Sequence, residues 1–352
     1  MASGRPVRLL FVCVLYAFVS CPVLCIWVTS PGVDGYMKAN YIRLLEGRAA
    51  KPYVLRALTP QVIRGFAAIL EPTINEEAAN KAFDIIAQVL KKTSPGAYQT
   101  LRYSDFRNGR QAEYIAGYIL CYVFLIVFGL CLRALIRELY DTRPIVSDAI
   151  PAFAVACLPA MFRYHSYVYD FPQLILFTLG LLFVYRRNTA AVWTVYVIGL
   201  FNKETMVLLP LLLWLEYRHE KEAQLWLRRN LAAMAAAYVV VRTMLLLVFR
   251  ENEGGRVEFH FFDHTIGTLW THAYSFGFFV TVAVIALGLF YEWKEKPALL
   301  RHGLLLGVPL VSMGVFFGFL DEFRDYYEIY PAAFLLIAHS VCHTLDVPLL
   351  RE

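Results

Sequence analysis

Apolar runs bounded by charges dominate this chain: Val7–Val28, Ala112–Leu132, Ala149–Phe162, Phe171–Tyr185, Ala190–Phe201, Met206–Tyr217, Leu231–Phe249, Trp270–Tyr291, Leu304–Leu320 and Tyr326–Leu345. A bilayer core about 30 Å thick takes about 20 helical residues per crossing, so such runs predict helices solvated by lipid. With 59% of its 352 residues hydrophobic and 17% charged, the chain has more apolar surface than a soluble core of this size encloses. The expectation is a single all-α domain, 1–352: a polytopic membrane helix bundle of about ten segments.

The seven cysteines all fall inside apolar runs, where they act as small hydrophobes, and no disulfide framework is implied. The first run follows Arg5 and Arg8 as a secretory signal would, but its length and the later runs favour a retained anchor. A net charge of +5 is too small for nucleic-acid binding and reads as loop bias toward anionic lipid. Basic short loops ("MASGRPVR", "RALIRELYDTRP", "YRRN", "EYRHEKEAQLWLRRN", "EWKEKPALLRHG") alternate with acidic or balanced ones ("ENEGGRVEFHFFDH", "DEFRDYYE"), which places both termini in the cytoplasm. No internal repeat is visible.

The stretch 29–111 then forms a long non-cytoplasmic loop, and it carries helix signals. Thr59-Pro60 reads as an N-cap and first turn, with Val62, Phe66 and Ile69 on one face of an amphipathic helix. Asn75 caps a second, whose Glu76 and Glu77 suit the positive end of its dipole and Lys91 and Lys92 the negative end. Helices of this kind lie in the headgroup plane.

The runs from Ala149 to Tyr217 are each too short for a perpendicular crossing and read as paired hairpins. One turns at "RYHSYVYD", ending in Asp170; the other turns at Asn202-Lys203-Glu204-Thr205. Lys203 and Glu204 facing lipid would be costly, so they are expected to face a polar cavity or each other. Asp34, Asp170, Glu322 and Arg324 fall on the same side, and Arg242 interrupts "YVVVRTMLLLVF" toward its outer half. Each has a plain alternative: Asp34 a turn before Gly35, Asp170 a helix cap, Lys203 and Glu204 a private pair, Arg242 a snorkelling side chain, Arg324 a loop ion pair. Gathered together, they form a carboxylate and guanidinium cavity suited to a phosphate-bearing lipid. His260, Asp263 and His264 lack a further ligand for a metal, and His339 and His343 read as helix–helix hydrogen-bonding residues. No nucleophile elbow, P-loop, dinucleotide fingerprint or zinc motif is present.

The segments "SPGVDGYMKANYIRLLEGRAAKPYVLRALTP", "YVYDFPQLILFTLGLLFV", "FNKETMVLLPLLL" and "DEFRDYYEIYPAAFLLI" resemble the GT-C superfamily of integral membrane glycosyltransferases. The resemblance implies transfer of a sugar from a polyprenyl-phosphate or polyprenyl-pyrophosphate donor to a glycan, lipid or protein acceptor, at the non-cytoplasmic face of a bacterial inner membrane. It implies Asp34 as general base or acceptor contact and Asp170 as the second acidic residue. Lys203, Arg242 and Arg324 are then expected to neutralise the leaving phosphate, with Arg56, Glu204, Glu322 and Tyr327 as further substrate contacts. Neither a metal nor a soluble cofactor is expected, and envelope-glycan assembly proteins are expected partners. Where other members commonly carry paired Asp-Glu, this chain reads "VDGY". A non-catalytic scaffold or lipid-binding subunit, and then a transporter of a lipid-linked glycan, are the alternative expectations.

Overall fold

The computed structural model describes residues 4–30, 32–102, 104–255, 259–272 and 275–349. Every regular element among them is helical. In chain order these are α1 (Gly4–Thr29), α2 (Tyr41–Leu45), α3 (Leu58–Leu70), α4 (Glu76–Thr93), α5 (Pro95–Arg102), α6 (Gln111–Leu139), α7 (Pro144–Cys157) and α8 (Asp170–Tyr185). There follow α9 (Thr189–Leu200), α10 (Leu208–Tyr217), α11 (Gln224–Val248), α12 (Ile266–His272), α13 (Phe276–Phe290), α14 (Ala298–Leu305), α15 (Gly307–Phe317) and α16 (Tyr330–Thr344), with short 3-10 and π turns between.

Among the described residues, five stretches are long and apolar enough to cross a membrane: Pro6–Thr29, Gln111–Leu139, Pro144–Met161, Gln224–Val248 and Ala298–Phe317. The pair Phe261–Thr271 and Phe276–Phe290, bent by 94°, makes a sixth if counted as one span. These are the helices of a multi-pass membrane protein. The expected figure of about ten is met only in part, because α8 and α9 are short apolar helices of 16 and 12 residues, and α10 and α16 have 10 and 15. Part of the expected run Trp270–Tyr291, residues 273 and 274, lies outside the described residues.

Two boundaries move for a physical reason. The run expected over Ala149–Phe162 starts at Pro144, because Asp148 inside it is neutralised: Arg8 donates to it at 2.6 and 2.8 Å, Arg133 at 2.6 Å and Arg137 at 3.3 Å. The run expected from Leu304 begins at Ala298, since His302 pairs with Glu216 at 2.8 Å and the Arg301 guanidinium lies 5.9 Å from the Trp293 ring centre. A paired charge no longer marks the end of a membrane segment.

Helix α6 is the axis of the bundle. Its 29 residues span about 43 Å, and it packs against α1, α3, α7 and α8. Gly129 lets Tyr16 of α1 lie flat on it; a methyl there would sit 2.8 Å from the Tyr16 ring. Gly117 receives the hydroxyl of Tyr41 in the same way. Such close approaches are what small residues provide between helices that gain nothing from leaving lipid. Outer faces are apolar: Leu10, Phe11 and Phe18 of α1 and Val240 and Leu247 of α11 are exposed, and α13 buries no residue.

The two surface helices expected in the first loop are α3 and α4. The Asn75 side chain accepts from the Ala78 N–H at 3.0 Å, as its cap role requires. Thr59 does not cap α3, which begins at Leu58; its hydroxyl donates instead to Asn202 Oδ1 at 2.8 Å. Replacing Gly129 by Ala is expected to cost about 1–3 kcal/mol by overpacking Tyr16. Gly65→Ala on α3, where nothing lies within 4 Å, should lose nothing. Thermal unfolding of the two variants in detergent checks this, and equal melting temperatures would refute the close-packing account.

Candidate functional site

Four chain segments distant in sequence meet at one end of the bundle: residues 46–58, 162–170, 201–207 and 318–329. Arg56, held by the 3-10 turn Tyr53–Leu55, points inward and is buried. It donates to both Glu204 oxygens, at 2.5 and 3.2 Å, and to the Tyr169 hydroxyl at 2.6 Å. Arg242 of α11 approaches the same carboxylate at 3.9 Å. Burial alone would push the Glu204 carboxyl up, but Arg56 facing it and Arg242 beside it hold it down to about 2.

A tyrosine stack runs from this pair. The Tyr169 ring stacks on Tyr167 at 5.2 Å, Tyr167 on Tyr53 at 5.3 Å, and Tyr53 lies 5.5 Å from Tyr36, which stacks on His165 at 5.4 Å. Arg324 lies over Tyr167, 4.3 Å from its centre, donates to Glu322 at 2.6 Å and stands 3.8 Å from Asp170. Burial, with Arg324 nearby, pulls the His165 imidazole down to about 4, so it is neutral at physiological pH.

Beneath the stack lies a closed polar layer. Lys203 is 3.2 Å from Glu328 and 3.8 Å from Asp325. Glu328 also accepts from Thr205 and, at 3.2 Å, from Gln173. Asn202 donates to the Gln173 side chain at 2.9 Å and to the Tyr169 carbonyl at 3.0 Å. The turn 201–207 is thereby cross-linked both to the start of α8 and to the segment 318–329.

Of the residues expected at the site, Arg56, Asp170, Lys203, Glu204, Arg242, Glu322 and Arg324 are brought together. Tyr327 is buried in the apolar core, with Asp170 and Arg324 as charged neighbours. Asp34 stands apart from them: it accepts from the Tyr114 hydroxyl at 2.9 Å and the Tyr41 N–H at 3.3 Å. Burial raises its carboxyl to about 6, against the lowering effect of those two bonds. Its loop nevertheless joins the site, since Gly32 accepts from the Ser166 N–H at 3.1 Å and Tyr36 packs on His165.

Four cations (Arg56, Lys203, Arg242, Arg324) face five carboxylates (Asp170, Glu204, Glu322, Asp325, Glu328), so the cluster is close to neutral. It is not saturated. Buried atoms without a hydrogen-bond partner among the described residues include Asp170 Oδ1, Lys203 Nζ, Arg242 Nη1, Arg324 Nη1, Glu328 Oε2, Tyr167 Oη and His165 Nδ1. Unmet polar capacity on this scale in one place is room for ordered water or a polar ligand.

Sequence reasoning missed His165, Gln173, Asp325 and Glu328. Gln173 alone carried a signal, as an amide within an apolar run; Glu328 was hidden in a loop that reads as simply acidic. The residues His260, Asp263 and His264 do not converge: His260 faces Asp263 at 3.0 Å, while His264 faces Asp321 at 2.9 Å. His343 pairs at 2.9 Å with Glu292, which lies in the turn after α13 and not in a neighbouring helix, whereas His339 packs beside Tyr140 with its Nδ1 unpartnered. No family model, curated protein or solved structure matches the chain.

Removing one member of a buried ion pair strands the other. Lys203→Met should therefore cost about 3–5 kcal/mol, and Glu328→Gln added to it should restore most of the loss. Chemical or thermal unfolding of the single and double variants measures the coupling; additive losses would mean the pair is not interacting.

Proposed function

We propose that the protein is a glycosyltransferase of the GT-C kind, moving a sugar from a polyprenyl-phosphate or polyprenyl-pyrophosphate donor to an acceptor at the non-cytoplasmic face of a bacterial inner membrane. The observation that carries the reading is the set of unsatisfied carboxylate, guanidinium and ammonium atoms at one end of an apolar bundle. A sugar phosphate offers hydroxyl donors to the former and anionic oxygens to the latter. The apolar faces of α1, α11 and α13 leave lipid-accessible surface for an isoprenoid tail.

In this scheme Asp34 takes the proton of the acceptor hydroxyl, and the oxygen attacks the anomeric carbon. The bond from that carbon to the donor oxygen breaks, and the phosphate leaves with the electron pair. Arg242 and Arg324 carry the developing charge, because each keeps an unpartnered guanidinium nitrogen. Lys203 is tied to Glu328 and Asp325 and holds the turn in place, and Asp170 orients the donor sugar through its free oxygen. Asp34 suits its role because a carboxyl raised to about 6 is a stronger base than an ordinary aspartate and is still ionised at neutral pH.

The near-balance of charge favours one other reading, a non-catalytic subunit of a glycan-assembly complex in which the same network is only a structural clamp. Activity separates them. The rate of sugar transfer should rise with pH through about 6, where the base ionises, and Asp34→Asn should lower it by about 10²–10⁴ with protein abundance unchanged. Arg242→Gln should raise KM for the lipid donor. Mass spectrometry of polyprenyl lipids in a deletion strain should show an accumulated donor; an unchanged lipid profile, or full turnover by the Asp34 variant, would sink the catalytic reading.

A further inference from the structure

At the far end of α16, about 20 Å along that helix from the polar cluster, a different set of side chains gathers. Among the described residues it is the one group of three metal-ligating side chains whose ligand atoms lie within 4.8 Å of one another: Glu292 and Glu295, from the turn between α13 and α14, and His343, from the last turn of α16. The His343 Nδ1 stands 2.9 Å from Glu292 Oε2, yet that oxygen is buried and accepts no hydrogen bond among the described residues. Two ligand atoms each about 2.1 Å from one ion stand about 3 Å apart when their bonds to it meet near a right angle, so the contact has the spacing of neighbouring ligands without the direction of a hydrogen bond. The turn is held in this shape from within. Lys296, 2% exposed, donates to the carbonyls of Gly288 and Leu289 at 2.9 Å each and to the Ser340 hydroxyl at 2.7 Å, and Ser340 donates to Gly288 at 2.7 Å. These bonds fix both glutamates against α16. His339, one turn before His343 and 2% exposed, keeps an Nδ1 without a partner among the described residues and has His343 and Glu295 as charged neighbours.

We propose that Glu292, Glu295 and His343 form a binding site for a divalent transition-metal ion, zinc by its ligand preference. Two carboxylate oxygens and one imidazole nitrogen are a set that zinc takes, with water in the remaining position. The imidazole disfavours magnesium and calcium, which bind through oxygen. Two carboxylates outweigh the single charge of Lys296, whose ammonium is already engaged by carbonyl and hydroxyl oxygens. The unpartnered nitrogen of His339 offers an acceptor to a metal-bound water, the kind of outer partner that tunes such sites. An ion here is too far from Asp170 and Arg324 to touch the reacting groups of a sugar transfer. It ties the α13–α14 turn to the end of α16, and its role is that of a structural clamp.

The test uses the full chain in neutral detergent, freed of metal by chelation, with zinc chloride titrated in by calorimetry and magnesium and calcium chloride as controls. One zinc per chain should bind and raise the melting temperature, whereas magnesium and calcium should do neither. His343→Gln and Glu295→Gln, both at exposed side chains, should leave the melting temperature of the metal-free chain unchanged. Each should weaken zinc binding at least about tenfold, the loss that even an outer-shell change brings. His260→Gln, at the other histidine cluster, should bind zinc as the unaltered chain does. No saturable zinc binding, full affinity in both site variants, or loss in the His260 variant instead would overturn the site, and magnesium or calcium bound as tightly as zinc would overturn its assignment to a transition metal.

Discussion

In a lipid-solvated bundle apolar contact does not choose between helix arrangements, because the surroundings are as apolar as the partner. What chooses here is the set of buried ion pairs. Arg56 with Glu204, Lys203 with Glu328 and Arg324 with Asp170 tie residues far apart in the chain to one end of the structure. Each charge is stable at that depth only beside its opposite, so each pair fixes the register of the helices that bring it. The aromatic stack and the candidate site both rest on that frame.

At the other end the same rule gives a different result. Asp148 of α7 gathers Arg8 of α1 and Arg133 and Arg137 of α6 onto one carboxylate. One bundle thus carries a many-membered, nearly neutral cluster at one end and a single carboxylate held by three arginines at the other, separated by the length of α6.

Much of this was legible from residue order. Apolar runs located the long helices, Asn75 and Lys91-Lys92 bounded α4, and the charged turns pointed to one shared cluster. The failures share a cause: a pattern of charges along the chain says nothing of who neutralises them. Asp148 was taken as a segment boundary because its three partners lie on other helices. Thr59 was taken as a cap because Asn202, which claims its hydroxyl, is 143 residues away. Asp34 was grouped with Asp170 because sidedness is readable, whereas the intervening tyrosines Tyr41 and Tyr114 that hold it are a matter of packing. His165 and Glu328 gained meaning only once Arg324 and Lys203 stood beside them.

Helix α11 touches the rest of the bundle lightly: it buries only Leu227, Met234 and Leu245. Half-buried Trp226, Tyr238 and Val241 pack on the core, and a few polar bonds add to them. Trp193 donates to Asn230 at 2.8 Å, Tyr196 to the Met234 carbonyl at 2.9 Å, and beyond its end Asn252 donates to the carbonyls of Gly47 and Ala49 at 2.8 and 2.9 Å. This wall carries Arg242, so the distance at which that guanidinium meets the Glu204 carboxylate follows from how those few bonds seat the helix.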